Sequence, residues 1–216
     1  MILEGRVGDS TLFADGNVAT LRQDRRAALV TTYGHGNCYE AAANKRMFTV
    51  ATASVGVSVV VGNVAPPAAG AATLLSIYNP TGSGVNAVIH RGTVQTISGT
   101  PGIGAFQWCV SWGKRITQVE STVSVPRCNF VGGARSQCIG FSTQALTSGL
   151  VHVNLRPLGV ATFAAVAAAT TAGLVATDFV NGEIVIPPDA VLTLAPAATG
   201  TTHVVAASFT WEEVPI

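Results

Sequence analysis

Residues 73–90 read TLLSIYNPTGSGVNAVIH, and this stretch decides the fold. Its two apolar ends flank the turn Asn79–Gly84, where proline and glycine supply the fixed and positive φ values that a chain reversal needs. The period of two in a strand places the apolar Val85, Ala87 and Ile89 on one face, and Asn86, Val88 and His90 lie on the other. The stretch therefore predicts two β-strands on either side of a tight turn.

The same pattern extends outward in both directions. Strand-like segments separated by Gly- and Pro-rich turns recur at short intervals, which is typical of a sandwich or barrel rather than of βαβ units. The candidate strands are Met47–Val61, Thr73–Tyr78, Val85–Ile97, Ala105–Trp112, Ser136–Thr143, Leu150–Leu155, Glu183–Ile186, Val191–Leu194 and His203–Trp211. The turn Gly99–Gly104 is predicted to form a hairpin. The two prolines after Ile186 predict a corner at which the chain crosses between sheets.

The charges are unevenly distributed along the chain. Of its 23 Asp, Glu, Lys and Arg residues, 11 precede Met47, and none lies between Met47 and His90. Soluble monomers have about a quarter of their residues charged, so a body this poor in charge is expected to cover much of its surface with protein. We therefore predict an extended N-terminal arm, residues 1–46, and a β-sandwich body, residues 47–216.

The charge balance does not favour nucleic acid or membrane as a partner. The formal net charge is only +1, so the protein as a whole is not expected to attract phosphate groups at long range. The uncharged stretch Leu158–Thr177 is mostly Ala and Thr, which makes its transfer into lipid weakly favourable at best, so an Ala-rich loop, a short helix or a packed strand pair is favoured over a membrane span. Met1–Val7 lacks the pattern of a secretory signal. Synthesis in the cytoplasm is expected. The arm residues predicted to bind a partner are Arg22, Arg25, Arg26, Tyr33, Tyr39, Lys45 and Arg46.

Motifs of catalysis, cofactor binding and metal binding were not found. The four histidines, His35, His90, His152 and His203, are scattered, and the four cysteines have no CxxC spacing, so free and buried thiols are expected. Asp178 could join a histidine and a serine in a triad, but almost any chain of this length offers that combination. We predict that the chain is not an enzyme, has no catalytic residues and uses neither a cofactor nor a metal.

The aromatic residues allow two interpretations. Trp108 and Trp112 are four residues apart on one predicted strand face, where they could form a stacking shelf for sugar, although core or intersubunit packing is the more common use of such residues. Tyr78 and Trp211 are predicted to be packed.

Several segments together carry a resemblance to a known class of protein. They are Arg22–Arg25, Tyr33–Glu40, Asn44, Phe48, Leu75–Asn86, Ile184–Pro188 and Ser208–Glu213. In this order they resemble a family of tailed-bacteriophage virion proteins, in which a polar arm with a Tyr-rich segment precedes a strand that ends in a Tyr-Asn-Pro turn.

The resemblance implies a jelly-roll-like antiparallel β-sandwich in a symmetric homo-oligomer, often a trimer. It also implies a capsid cement, or decoration, protein that binds the major capsid protein at the outer surface of the virion and stabilises the DNA-filled head. A tail, collar or baseplate component would have the same low charge and β body. A glycan-binding fibre module is a further alternative.

Overall fold

The computed structural model describes residues 38–58, 65–67, 73–99, 104–112, 123–124, 126–142, 152–161, 175–196 and 203–216. Residues Glu40–Ile216 form one compact unit. The arm predicted for residues 1–46 lies mostly outside the described residues, and its extent stays a prediction. In the described residues, no helix is long and apolar enough to span a membrane.

The described chain contains one short helix and twelve strands. The elements are α1 Tyr39–Ala43, β1 Met47–Ala51, β2 Val57–Ser58, β3 Leu75–Asn79, β4 Val85–Ser98, β5 Gly104–Trp112, β6 Val123–Ser124, β7 Arg127–Cys128, β8 Ile139–Phe141, β9 Val153–Ala161, β10 Val175–Ile186, β11 Ala190–Pro196 and β12 Val204–Pro215.

The strands form two antiparallel sheets, as the alternating sequence pattern predicts. The first sheet has the order β10-β4-β12-β1-β7, with β2 paired to β12, and the second has the order β6-β8-β3-β11-β5-β9. An all-β fold consistent with a sandwich is therefore confirmed.

Eight of the strands pair in a nested pattern, in which each pair is enclosed in sequence by the pair before it. The first of them, β1, pairs with the last, β12; β3 pairs with β11, β4 with β10, and β5 with β9. The chain thus forms one long antiparallel ribbon that is folded over so that successive pairs lie alternately in the first and the second sheet.

The corner after Ile186 is confirmed, because β10 lies in the first sheet and β11 in the second. The predicted hairpin at Gly99–Gly104 is wrong: its flanking strands, β4 and β5, belong to different sheets and do not pair. A Gly- and Pro-rich reversal specifies a change of direction, whereas the choice of partner strand depends on the whole sandwich.

Asn79 holds two of the crossings between sheets. Its buried side chain donates from Nδ2 to the carbonyl oxygens of Val85 (2.8 Å) and Ile186 (2.9 Å). Its own carbonyl oxygen accepts from the Asp189 amide at 2.7 Å. One asparagine therefore fixes both the turn after β3 and the corner after β10.

The core lies between the sheets and is built from aliphatic and aromatic side chains of both. Trp211 and Phe209 of β12 are fully buried, and the ring centroid of Trp108 in β5 lies 5.1 Å from that of Phe209, with the two rings tilted. Tyr78 is 5% exposed and belongs to a smaller cluster with Phe141 and Val191. The predicted packing of Tyr78 and Trp211 is confirmed.

Candidate interaction surfaces

Only some of the predicted partner-binding residues lie in the described part of the chain. Arg22, Arg25, Arg26 and Tyr33 fall outside it. Tyr39 begins α1 and is half-exposed. Lys45 and Arg46 lie in the turn that joins α1 to β1, where Arg46 contacts β12 and Lys45 contacts β7 and the β7–β8 loop.

Arg46 and Lys45 have different surroundings. Arg46 forms an ion pair with Glu212 at 3.1 Å, and its carbonyl oxygen accepts from the Glu213 amide at 2.9 Å. Lys45, which is exposed, has its ammonium 5.4 Å from the centroid of the Phe130 ring. Arg46 is therefore largely engaged in holding β1 against β12, whereas Lys45 remains available at the surface.

Phe130 belongs to a loop that presents apolar side chains to solvent. The Gly133 amide donates to the Phe130 carbonyl at 2.9 Å, and Gly132 has φ 82°, the conformation that the third residue of a type II turn requires. Val131 is 94% exposed and Phe130 45% exposed. We call Phe130 and Val131, with the exposed basic residues Lys45, Arg127 and Arg135 around them, the β7–β8 tip.

The loop that carries the tip is fixed at both ends. At its start, the Asn129 amide donates to the Met47 carbonyl at 2.8 Å, and Thr49 Oγ1 donates to Asn129 Oδ1 at 2.8 Å. At its end, Glu213 is 5% exposed, and its Oε1 accepts from the amides of Gln137 (3.0 Å) and Cys138 (3.2 Å).

Ser136 Oγ also donates to the Glu213 carboxylate. Trp211 Nε1 donates to Glu213 Oε1 at 3.4 Å as well, so four donors compensate a buried charge, as burial requires. Burial and the proximity of Glu213 raise the pKa of the Cys138 thiol far above its ordinary value, so the thiol stays protonated.

A groove of about 290 Å³ opens on the other side of the molecule, where the end of β5, β9 and the β10–β11 corner meet. Its exposed apolar wall consists of Trp112 (65% exposed), Leu155 and Val185, and the carboxylate-bearing residue on its lining is Glu183. We call this feature the Trp112 groove. Such an open, mostly apolar depression can accept an apolar group.

Trp108 does not share the groove, so the two tryptophans do not form a stacking shelf, and for Trp108 the more common use, core packing, is confirmed. Trp108 is fully buried, and its Nε1 donates to Asp178 Oδ2 at 2.8 Å. The same oxygen accepts from Arg156 Nη2 at 2.9 Å, and the other Arg156 Nη bonds Glu183. The two tryptophans differ because Trp108 faces the opposing sheet, whereas Trp112 is the last residue of β5.

His35 lies outside the described residues, and the other groups considered for chemistry are engaged or buried, except for Cys38. Asp178 is bonded by Trp108 and Arg156 as above, and burial lowers the pKa of His152 and His203. Burial raises the pKa of the Cys109 thiol to about 12. Cys109 and Cys138 are buried as expected, but Cys38 is exposed. Among the residues that the structure describes, no group of three or more His, Cys, Asp or Glu side chains could hold a metal ion.

Sequence reasoning singled out one residue of each surface, Lys45 of the tip and Trp112 of the groove, but it predicted neither surface as a whole. The tip had a readable signal, since Phe130-Val131 followed by Gly132-Gly133 places two large apolar side chains in a turn flanked by Arg127 and Arg135. The groove had none, because its walls come from strands that are far apart in sequence. Comparison with known protein families, with curated proteins and with solved structures finds no match for this chain.

Proposed function

We propose that the chain is a structural protein of a tailed-bacteriophage virion, a capsid cement protein that binds the outer capsid lattice and stabilises the DNA-filled head. The observation that carries this proposal is the exposure of apolar side chains on a charge-poor β-sandwich. Val131 is held 94% exposed on a fixed turn, and Trp112 is 65% exposed beside an apolar groove. Exposed apolar patches of this kind mark protein–protein contacts.

The strand order supports a jelly roll as the fold. With the eight nested strands numbered in chain order, the first sheet reads six-three-eight-one and the second reads two-seven-four-five. This is the order produced by rolling one long antiparallel hairpin into two sheets, and jelly rolls of eight strands are common in viral capsid proteins.

The proposed partners are the major capsid protein and further copies of the chain, assembled as a trimer at the capsid surface. In this proposal the N-terminal arm, through Arg22, Arg25, Arg26, Tyr33 and Tyr39, reaches a neighbouring subunit, and Lys45 and Arg46 lie at the base of the arm. Identical weak contacts repeated by symmetry then act together, which raises the overall affinity without a tight single site.

Quantitative mass spectrometry of purified virus particles tests this function. A high copy number in fixed ratio to the major capsid protein is the expected result. A low copy number that matches the symmetry of the tail would favour the tail, collar or baseplate alternative, and absence from particles would contradict a virion role. Protection of Trp112 from oxidation by added glycan would favour the fibre-module alternative.

The role of the arm is tested in the full-length chain. The triple substitution Arg22→Glu, Arg25→Glu and Arg26→Glu is expected to weaken attachment to heads that lack the protein, and Arg91→Glu, a charge reversal at an exposed residue of β4, is the matched control. Equal attachment of both variants would contradict the arm's role.

A further inference from the structure

The β7–β8 tip and the Trp112 groove lie at opposite edges of the first sheet. In that sheet β7 and β10 are the two edge strands, with β1, β12 and β4 between them. At the usual spacing of neighbouring strands the two edges are about 19 Å apart. The tip follows β7 and the groove borders β10, so a single molecule carries a projection at one edge and a depression at the other.

The shapes and polarities of the two features match. The tip is convex and ends in Val131, whereas the groove is concave, with apolar walls formed by Trp112, Leu155 and Val185. Burying the exposed valine against these walls would remove apolar surface of both features from water. The turn that holds Val131 is fixed before binding, which lowers the entropic cost of association.

Their charges are also complementary. Around the tip, Lys45, Arg127 and Arg135 are exposed, and none of them forms an ion pair with another described residue. Beside the groove, Glu183 of its lining and Asp178 of the same strand share the single guanidinium of Arg156, which leaves a net negative charge on these three described side chains. Among the described side chains, the tip and this trio have opposite charges and attract each other, whereas tip against tip would bring like charges together.

The edge strands disfavour a different way of joining two copies, the continuation of a sheet. The outer strand of the second sheet, β9, contains Pro157 and two irregularities in its register with β5. In β10 the register with β4 shifts between Phe179 and Ile184, where Asn181 has φ 50°. Proline and bulges protect edges from strand pairing, so contact through side chains is favoured.

We propose that the β7–β8 tip of one copy inserts Val131 into the Trp112 groove of the next copy, so that the chain assembles head to tail into a closed ring. The inference rests on the proposed function, in which the chain self-assembles at the capsid surface, and it identifies the surfaces that make this contact. Because the two surfaces differ, the contact is heterologous, and such contacts form a closed ring when the rotation from copy to copy closes, as the proposed trimer requires.

Sedimentation velocity on the full-length chain tests the contact with two exposed variants, Val131→Asp in the tip and Trp112→Asp in the groove. The wild type is expected to form a closed oligomer. Each variant alone should raise the dissociation constant by roughly thirtyfold or more, as for a central interface residue. Val55→Asp, at a valine that is 77% exposed outside both surfaces, should assemble like the wild type.

Mixing the two variants tests the head-to-tail arrangement. Val131→Asp retains an intact groove and Trp112→Asp an intact tip, so an equimolar mixture should form dimers and nothing larger. A monomeric wild type, wild-type-like assembly of either variant alone, loss of assembly in Val55→Asp, or a mixture without dimers would each overturn the proposal. Equal far-ultraviolet circular dichroism spectra establish that all variants are folded.

The assembly experiment and the copy-number measurement in virus particles can fail independently of each other. A monomeric chain that is nevertheless abundant in virus particles would refute the ring and leave the cement role. A tip-and-groove ring that is absent from particles would refute the cement role and leave the contact.

Discussion

Trp108 donates its indole N–H to the carboxylate of Asp178 across 2.8 Å, and this bond joins β5 of the second sheet to β10 of the first. Arg156 of β9 donates to the same carboxylate oxygen. The side of the sandwich beside the Trp112 groove is therefore closed by three side chains from three strands, not by backbone pairing between the sheets.

Removal of the Asp178 carboxylate, which accepts from both Trp108 and Arg156, should destabilise the fold. Asp178→Ala leaves the buried indole N–H without its partner, and we expect the free energy of unfolding to fall by about 1–3 kcal/mol in urea titrations. Glu183→Gln, which removes the other carboxylate bound by Arg156 at an exposed position, is the control and should change stability by less than about 1 kcal/mol. Equal losses in both variants would contradict the role of the Trp108–Asp178 bond.

Gly92 should not tolerate a side chain. A Cβ atom at this position would lie too close to the Trp108 ring for a van der Waals contact, and the ring cannot move away because the core encloses it. Alanine normally stabilises a strand relative to glycine, but here we expect Gly92→Ala to cost about 1–3 kcal/mol through overpacking. Thermal unfolding measures the change, and a raised midpoint would contradict it.

A double-mutant cycle separates this clash from other effects of Gly92. In the Trp108→Leu background the ring is absent, so adding Gly92→Ala should cost less than it does in the wild type. Additive costs would show that the two residues are not coupled.

Glu213 and Glu212 are neighbours with opposite environments. Glu213 is buried and accepts from Ser136, Gln137 and Cys138, whereas Glu212 is partly exposed and pairs with Arg46. Glu213→Ala should cost about 2–4 kcal/mol, because it leaves several donors of the β7–β8 loop unpaired. Glu212→Ala should cost less than about 1 kcal/mol.

Amide hydrogen exchange provides a local readout of the same substitution. In Glu213→Ala the amides of Gln137 and Cys138 are expected to exchange faster than in the wild type, because both donate to the Glu213 carboxylate. Unchanged exchange at these two amides would contradict the assignment of Glu213 as the group that fixes the end of the loop.

His203 should make stability depend on pH. Burial lowers its pKa below the ordinary value of 6.5, and its Nε2 lies 3.0 Å from Thr96 Oγ1. Below about pH 6.5 the unfolded chain therefore binds the proton more readily than the folded chain, and stability falls as the pH falls. Above this range the contribution is fully present.

Urea unfolding of wild type and His203→Gln at several pH values isolates the effect, because the carboxylates contribute equally to both. Below pH 6.5 the wild-type curve should be steeper by at most about 1.4 kcal/mol per pH unit. Parallel curves would contradict a lowered pKa of His203.

Local sequence determined the class of fold. The period of two in residues 85–90, the Gly- and Pro-rich turns and the double proline after Ile186 depend only on near neighbours, and they predicted an all-β chain and the corner between sheets. The strand bounds were predicted less well, since the predicted strand Met47–Val61 is two strands, β1 and β2, and residues 175–182 of β10 were not predicted. Apolar character was also sufficient to place Tyr78 and Trp211 in packed positions.

Tertiary structure alone decided which strands pair and which surfaces remain exposed. Asn79 bonds Ile186, and Ser136 bonds Glu213, across 107 and 77 positions of the chain. Trp108 and Trp112 share a strand and a spacing that predicts one face, yet one is fully buried and the other is 65% exposed. The reason is physical: alternation assigns a side chain to a face, but burial depends on whether another strand lies opposite it, and that strand comes from a distant part of the chain.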